Sequence, residues 1–280
     1  MMHRKILEGK LLQFVKEDAG VSDITLHFTP DKKVSAEIIA NDTGILAGAH
    51  ELNTLFELFG VKVKKHSNDG DKIRKGQAVF ILTGNSRDIL LVKRTALSIL
   101  SRMSGIATAT KQFIDSAKKS NPRVRVAATR KTTPGFRYFE KCAVRVAGGD
   151  THRLTLSEEV LIKKEHLKLF KDLASAIQAA KRQTSFVHKI EVEVDKVENA
   201  LIAAKEGADI IMLDNMSAGN VQKTIKKLNE LGLRKNVILE VSGGITLQNI
   251  QTYAKAGPDI ISVGEITKNT KAIDFSLNLR

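Results

Sequence analysis

The chain has 280 residues, with 45 lysines and arginines against 31 aspartates and glutamates, a formal net charge of +14. That length permits two domains or one elaborated barrel, and 42% hydrophobic content with four prolines excludes wholesale disorder. A single cysteine, Cys142, with no Cys/His cluster at metal spacing, excludes disulfide and zinc scaffolds and suits a reducing cytoplasm; no signal-like or membrane-spanning apolar run occurs.

The first third alternates short apolar runs with turn signals. Strands are expected over 34–40, 61–65 and 78–83, a turn over 68–71 and a short helix over 52–59. An α+β sandwich fits that pattern. Leu90, Leu91, Ala96, Leu97 and Leu100 then recur at helical spacing, and the helix is expected to continue through 105–117 as a bridge to a second domain.

Beyond residue 120 the rhythm changes. Apolar runs at 124–129, 160–163, 190–194, 210–213, 237–241 and 260–263 alternate with amphipathic segments such as 197–206 and 221–231. Six βα units imply a parallel sheet covered by helices, and either a barrel or a doubly wound sheet satisfies the pattern. We divide the chain into a sandwich domain at 1–104 and an α/β domain at 105–269, with a tail at 270–280 free to pack back on the first.

The charge is unevenly placed. Residues 105–170 carry 14 basic and six acidic side chains, so over half of the excess lies in one block. A polyanion surface or a site for small anionic ligands would explain it. With no Trp, two Tyr and 5% aromatic residues, the chain lacks the interleaved aromatics of single-strand readers, which argues against nucleic acid.

Most strand-like runs end at chemistry-bearing residues: Arg130-Lys131, Lys163, Glu193, Asp214, Ser242-Gly243-Gly244 and Gly264. In a barrel those ends converge on the face where active sites lie. Arg forks bind carboxylate or phosphate, Lys adds point charge, and Arg130, Lys131, His152, Arg153 and Lys163 together suit a ligand with several anionic groups. Arg137, Lys141 and Arg145, at i, i+4 and i+8, read either as part of this block or as a solvated helix face. Glu193 and Asp214 can hold Mg²⁺ through water, bond ribose hydroxyls or stabilise a sugar cation. Ser242-Gly243-Gly244, between a strand and a helix, reads as a phosphate cradle, with Gly264 after the next strand.

These residues, in this order, make the chain resemble the quinolinate phosphoribosyltransferases. The resemblance rests on Arg130-Lys131-Thr132-Thr133-Pro134-Gly135, Gly148-Gly149 with His152-Arg153, Val160-Leu161-Ile162-Lys163, Glu191-Val192-Glu193-Val194, Asp209-Ile210-Ile211-Met212-Leu213-Asp214-Asn215-Met216 and Ser242-Gly243-Gly244-Ile245. Upstream, Asp69-Gly70-Asp71, Gly76-Gln77, Arg94-Thr95-Ala96-Leu97 and Ser104-Gly105-Ile106-Ala107-Thr108 extend it over nearly the whole chain.

The resemblance implies an N-terminal α/β open sandwich, an incomplete barrel of the seven-stranded type and a homodimer, with a hexamer left open. It implies transfer of phosphoribosyl from phosphoribosyl pyrophosphate to quinolinate with decarboxylation, in cytoplasmic NAD biosynthesis, using Mg²⁺. By motif, Arg94 of a second subunit, Arg130, Lys131, His152, Arg153 and Lys163 would bind substrate carboxylates and phosphates. Glu193 and Asp214 would face the ribose and its metal, and Ser242, Gly243, Gly244 and Gly264 the 5′-phosphate. Lys131, Lys163, Glu193 and Asp214 are the expected catalytic set; no nucleic-acid or membrane partner is implied. Three places depart from the family pattern: Ala128 replaces the usual Asp, Lys164-Glu165 replaces Asp-Asn, and Lys268-Asn269 replaces His-Ser. Ala128, Leu156-Ser157-Glu158 and Glu165-His166 also resemble the molybdenum-locus homologues, an alternative with another anionic heterocycle as substrate, whereas Lys163 favours quinolinate. A nucleic-acid-binding module is the remaining alternative, motivated by the net charge alone.

Overall fold

The computed structural model describes residues 2–280, which divide into two units. The first comprises the residues up to Ala109 together with Tyr138–Ala147 and Thr270–Arg280; the second comprises Thr110–Arg137 and Gly148–Asn269.

In the first unit, strands β1 (Lys33–Ala40), β2 (Gly44–Ile45), β3 (Lys62–Lys65), β4 (Lys72–Ile73) and β5 (Ala78–Asn85) follow helix α1 (Arg4–Ala19). Strand β1 lies between β5 and the chain's last strand, Phe275–Leu279, antiparallel to both, and β3 pairs with the far edge of β5. Period-2 alternation explains β1, since Ala36, Ile38 and Ala40 are buried and the residues between them are not. Helix α1 buries Leu7, Leu11 and Val15, one residue per turn.

Helix α2 (Ala49–Leu58) begins three residues earlier than the apolar spacing predicts. The reason is a distant cap: the Asp69 carboxylate accepts the N–H of Ala49 at 2.9 Å and of His50 at 3.3 Å, satisfying donors that no neighbouring side chain reaches. Helix α3 (Ser86–Lys118) runs unbroken through Gly105, where a Cβ would lie 2.4 Å from the carbonyl oxygen of Lys271; the glycine lets the C-terminal tail pass. Helix α4 (Arg137–Val146) sends Phe139 against Phe14, with ring centroids 5.5 Å apart, and Glu140 against Arg102 Nη2 at 2.8 Å. Lys141 on the same helix is buried, so the solvated-face reading fails there: Val144, one turn on and buried, shares its side.

The second unit carries β6 (Arg125–Ala128), β7 (Val160–Ile162), β8 (Ile190–Val194), β9 (Ile210–Asp214), β10 (Ile238–Ser242) and β11 (Ile260–Val263) in one parallel sheet of order β6-β11-β10-β9-β8-β7. From β7 to β11 the spatial order follows the chain, and helices α5 (Leu173–Gln183), α6 (Val197–Lys205), α7 (Ala218–Glu230) and α8 (Ile250–Ala256) contact one another in succession. A doubly wound sheet would reverse direction at a switch point, so the barrel-type alternative is the one adopted. Closure is incomplete. Among the described residues the sheet continues beyond β6 only as one parallel bridge between Ala127 and Asp150.

Register decides what faces inward. Glu193, Met212 and Glu240 are cross-strand neighbours, and one pleat further on Ser242 pairs with Asp214 on one side and Ser262 on the other. Strand periodicity turns all of them to one side of the sheet. Ala128 pairs with Val263, on the opposite face from Ser262, so the family-pattern departure at 128 points away from these side chains.

Candidate active site

A cavity of about 570 Å³ opens at the carboxyl ends of the second unit's strands. It is lined by Arg130, Lys131, His152, Arg153, Lys163, Glu193, Asp214, Ser242, Gly243 and Gly244, which gathers ten of the twelve expected site residues. Gly264 adjoins it: a Cβ there would lie 3.2 Å from Lys131 Cδ, so the glycine gives the lysine its path. Arg94 belongs to the first unit, is exposed on α3 and does not line this cavity. Thr129, Leu161, Lys164, Glu165, Met212, Asn215 and Glu240 complete the lining.

One wall is cationic. Arg130, Arg137 and Arg153 are close enough that burial and then the other two guanidinium groups push the pKa of Arg130 down, and its buried Nε has no hydrogen-bond partner among the described residues. Protein oxygens hold the other two: Arg137 donates to Thr132 Oγ1 at 3.0 Å and to the Leu154 carbonyl at 3.3 Å, and Arg153 donates to the Glu159 carbonyl at 3.0 Å. Like charges so arranged are stable beside an anion. Lys131 is fixed through its backbone, with its carbonyl accepting from Thr267 Oγ1 at 2.7 Å, and its ammonium makes no ion pair among the described residues.

The facing wall is acidic and paired. Lys163 bonds Glu193 Oε1, and Lys164 Nζ lies 3.1 Å from Asp214 Oδ2 and 3.7 Å from Asp195 Oδ2. Asp214, followed by Asp195, pushes the pKa of Lys164 up. Between the walls His152 holds a left-handed backbone, φ 51°, braced by its N–H to Asp150 Oδ1 at 2.8 Å. Gly243 and Gly244 also have positive φ, 92° and 62°, which turns the chain sharply after β10.

Glu240 and Asn215 were not evident from strand ends. The signal for Glu240 is a lone carboxylate in an otherwise apolar run, two residues before Ser242 and therefore on its face; for Asn215 it is a short polar side chain directly after Asp214, able to adopt the left-handed region.

A barrel-type parallel sheet with a glycine turn, clustered guanidinium groups and two carboxylates at its carboxyl edge defines an enzyme for a polyanionic substrate. The family models described as quinolinate phosphoribosyl transferase, N-terminal domain and C-terminal domain, match residues 23–104 and 106–278, and the chain belongs to this family. It is 46% identical over 250 residues to a probable nicotinate-nucleotide pyrophosphorylase [carboxylating] of Archaeoglobus fulgidus, covering 89% of this chain and 96% of that one. It is 34% identical over 266 residues to the nicotinate-nucleotide pyrophosphorylase [carboxylating] of Rattus norvegicus, covering 95% and 88%. Among solved structures, the nicotinate-nucleotide pyrophosphorylase of Francisella tularensis matches with a TM-score of 0.92 at 34% identity, covering 100% of this chain and 98% of that one.

Proposed function

We propose that this chain transfers the phosphoribosyl group of phosphoribosyl pyrophosphate to quinolinate, releasing pyrophosphate and CO₂ and forming nicotinate mononucleotide for NAD synthesis. The observation that carries this reading is one cavity in which Arg130, Lys131 and Arg153, with Arg137 close behind Arg130, face Glu193 and Asp214 beside the Gly243-Gly244 turn. Arg130, Lys131, His152 and Arg153 bind the substrate's carboxylates and the pyrophosphate. As pyrophosphate leaves, positive charge grows on the ribose, and Glu193 and Asp214 stabilise it. Ser242, Gly243, Gly244 and Gly264 receive the 5′-phosphate. Once the pyridine nitrogen is glycosylated the ring is cationic and accepts the electrons of the departing 2-carboxylate, so the protein's task there is to hold both reactants in register.

Mg²⁺ fits this donor set. Lys163 occupies one oxygen of Glu193 and Lys164 one of Asp214, which leaves each carboxylate an oxygen for a hard cation completed by water and substrate phosphates. Bound there, the ion would neutralise the leaving pyrophosphate. A second copy of the chain supplies Arg94, a reading that rests on the family resemblance and on that side chain's exposure. The same resemblance supports a cytoplasmic enzyme; among the described residues no helix is long and apolar enough to cross a membrane. Lys164 on Asp214, where the family pattern has Asp, favours as the second reading a different anionic heterocycle on the same phosphoribosyl donor.

The deciding assay supplies quinolinate, phosphoribosyl pyrophosphate and Mg²⁺ and measures pyrophosphate and CO₂ together. Stoichiometric release of both supports the reading. Binding of the donor without turnover, followed by turnover of another heterocycle, transfers support to the second. Arg94→Ala and Lys163→Ala proteins, each inactive, should regain activity when mixed if Arg94 acts across a dimer.

A further inference from the structure

At the cavity lining, three carboxylates surround the one imidazole of His152. His152 Nε2 lies 3.4 Å from Glu191 Oε2 and 3.3 Å from Glu240 Oε2, and Nδ1 lies 3.8 Å from Glu159 Oε2. Glu191 and Glu240 are 0% and 1% exposed, and among the described residues neither Glu191 oxygen nor Glu240 Oε1 has a hydrogen-bond partner beyond the imidazole. Two carboxylates buried this way require a countercharge. Ligand atoms of His152, Glu159 and Glu191 lie within 4.8 Å of one another, so a metal ion is one formal solution. The fixed cation of Arg153, bonded to the Glu159 carbonyl and flanking the same group, disfavours a divalent ion there.

We propose that Glu240, with Glu191 beside it, is a positioning residue for the transfer reaction: the pair fixes the His152 ring and holds it as an imidazolium, a standing cation for a substrate carboxylate. This rests on the transferase reading above. Burial alone would lower the pKa of His152, but the bonds to Glu191 and Glu240 outweigh it and push it up to about 10. Burial and then the neighbouring Glu191 push the Glu159 carboxyl up, toward its neutral form. The remaining groups facing the histidine are Asp150, which accepts its backbone N–H, and Arg153, whose backbone N–H donates to Nδ1 at 2.8 Å. A second ring proton on Nδ1 would break that bond and face the Glu159 carboxyl, whose Oε2 lies 3.8 Å away.

The test reads the histidine rings of the ¹⁵N-labelled, full-length, ligand-free protein by NMR, with His152→Asn giving the assignment. The expected wild-type ring stays doubly protonated through pH 8, and Glu240→Gln and Glu191→Gln each lower its titration midpoint by about one unit or more. A wild-type midpoint near the ordinary value of about 6.5 would overturn the proposal, as would midpoints unmoved in both variants or ring signals that added Zn²⁺ converts to those of a metal-bound imidazole. Because this measurement needs no substrate, its failure is distinct from failure of the transferase reading. Where turnover of quinolinate is seen, Glu240→Gln should raise the KM for quinolinate about tenfold at pH 8 while kcat changes less than about threefold; an unchanged KM overturns the proposal.

Discussion

Asn215 lies on Gly243 so closely that a Cβ at 243 would fall 2.4 Å from Asn215 Oδ1. Asn215 itself has φ 54°, and its N–H donates to the Ser242 carbonyl at 2.8 Å. The ends of two adjacent strands are thus locked together by one residue that must be small and another that must tolerate a left-handed backbone, and the turn they form is the proposed phosphate cradle.

Gly243→Ala should therefore be costly twice over, through its φ of 92° and through the displaced Asn215 side chain. We expect a loss of about 2 kcal/mol in stability by urea unfolding and weaker binding of phosphoribosyl pyrophosphate by titration calorimetry. Unaltered donor binding in the folded variant would remove this turn from the phosphate site.

Lys164 competes with any cation for Asp214. Because the pair is partly exposed, its removal is worth only about 1 kcal/mol, so Lys164→Ala should lower the Mg²⁺ concentration for half-maximal activity about fivefold. Half-saturation that stays constant would show that Asp214 does not contact the ion.

Lys131 and Glu193 should separate kinetically. Lys131 anchors an anion in ground state and transition state alike, so Lys131→Ala should raise KM and weaken substrate binding. Glu193 faces charge that develops only as the bond breaks, and Glu193→Ala should lower kcat about 100-fold with a smaller effect on KM. Wild-type kinetics in either variant would exclude that residue.

Glu51 offers a test outside the site. Burial, opposed by a backbone hydrogen bond and reinforced by Asp69, pushes its carboxyl up to about 7 from an ordinary 4.5. Between those values the folded chain holds a proton that the unfolded chain has released, so stability falls as pH rises through that window. Glu51→Gln should abolish this slope and stabilise the protein at pH 8 by about 3 kcal/mol, read as the difference in urea midpoints between pH 5 and pH 8. An identical pH profile in wild type and variant would rule out the protonated buried carboxyl.

The βα rhythm and ten of the cavity residues were readable because apolar runs and their polar termini are local signals. Strand order is not local: nothing in 125–128 says that β6 lies beside β11, so barrel and doubly wound sheets stayed equivalent until pairing was seen. Asp69 reads as a turn residue from its neighbours, yet it caps a helix twenty residues upstream. Glu240 was hidden for a related reason. Attention to strand ends passes over a carboxylate two residues inside, whose importance appears only when β8, β10 and the loop carrying His152 are brought together.

The single Ala127–Asp150 bridge leaves β7 hydrogen-bonded on one side only, to β8. A three-residue strand so placed opens at a lower free energy than its neighbours, and amide exchange should report it early. Lys163 and Lys164 follow directly on that strand, so the ammonium groups that neutralise Glu193 and Asp214 belong to the least braced wall of the cavity. Glu193, Asp214 and Ser242 are carried by strands paired on both sides. The cavity thus combines a fixed acidic floor with a yielding cationic flank, an asymmetry suited to letting a bulky, highly charged donor in and closing charge around it afterwards.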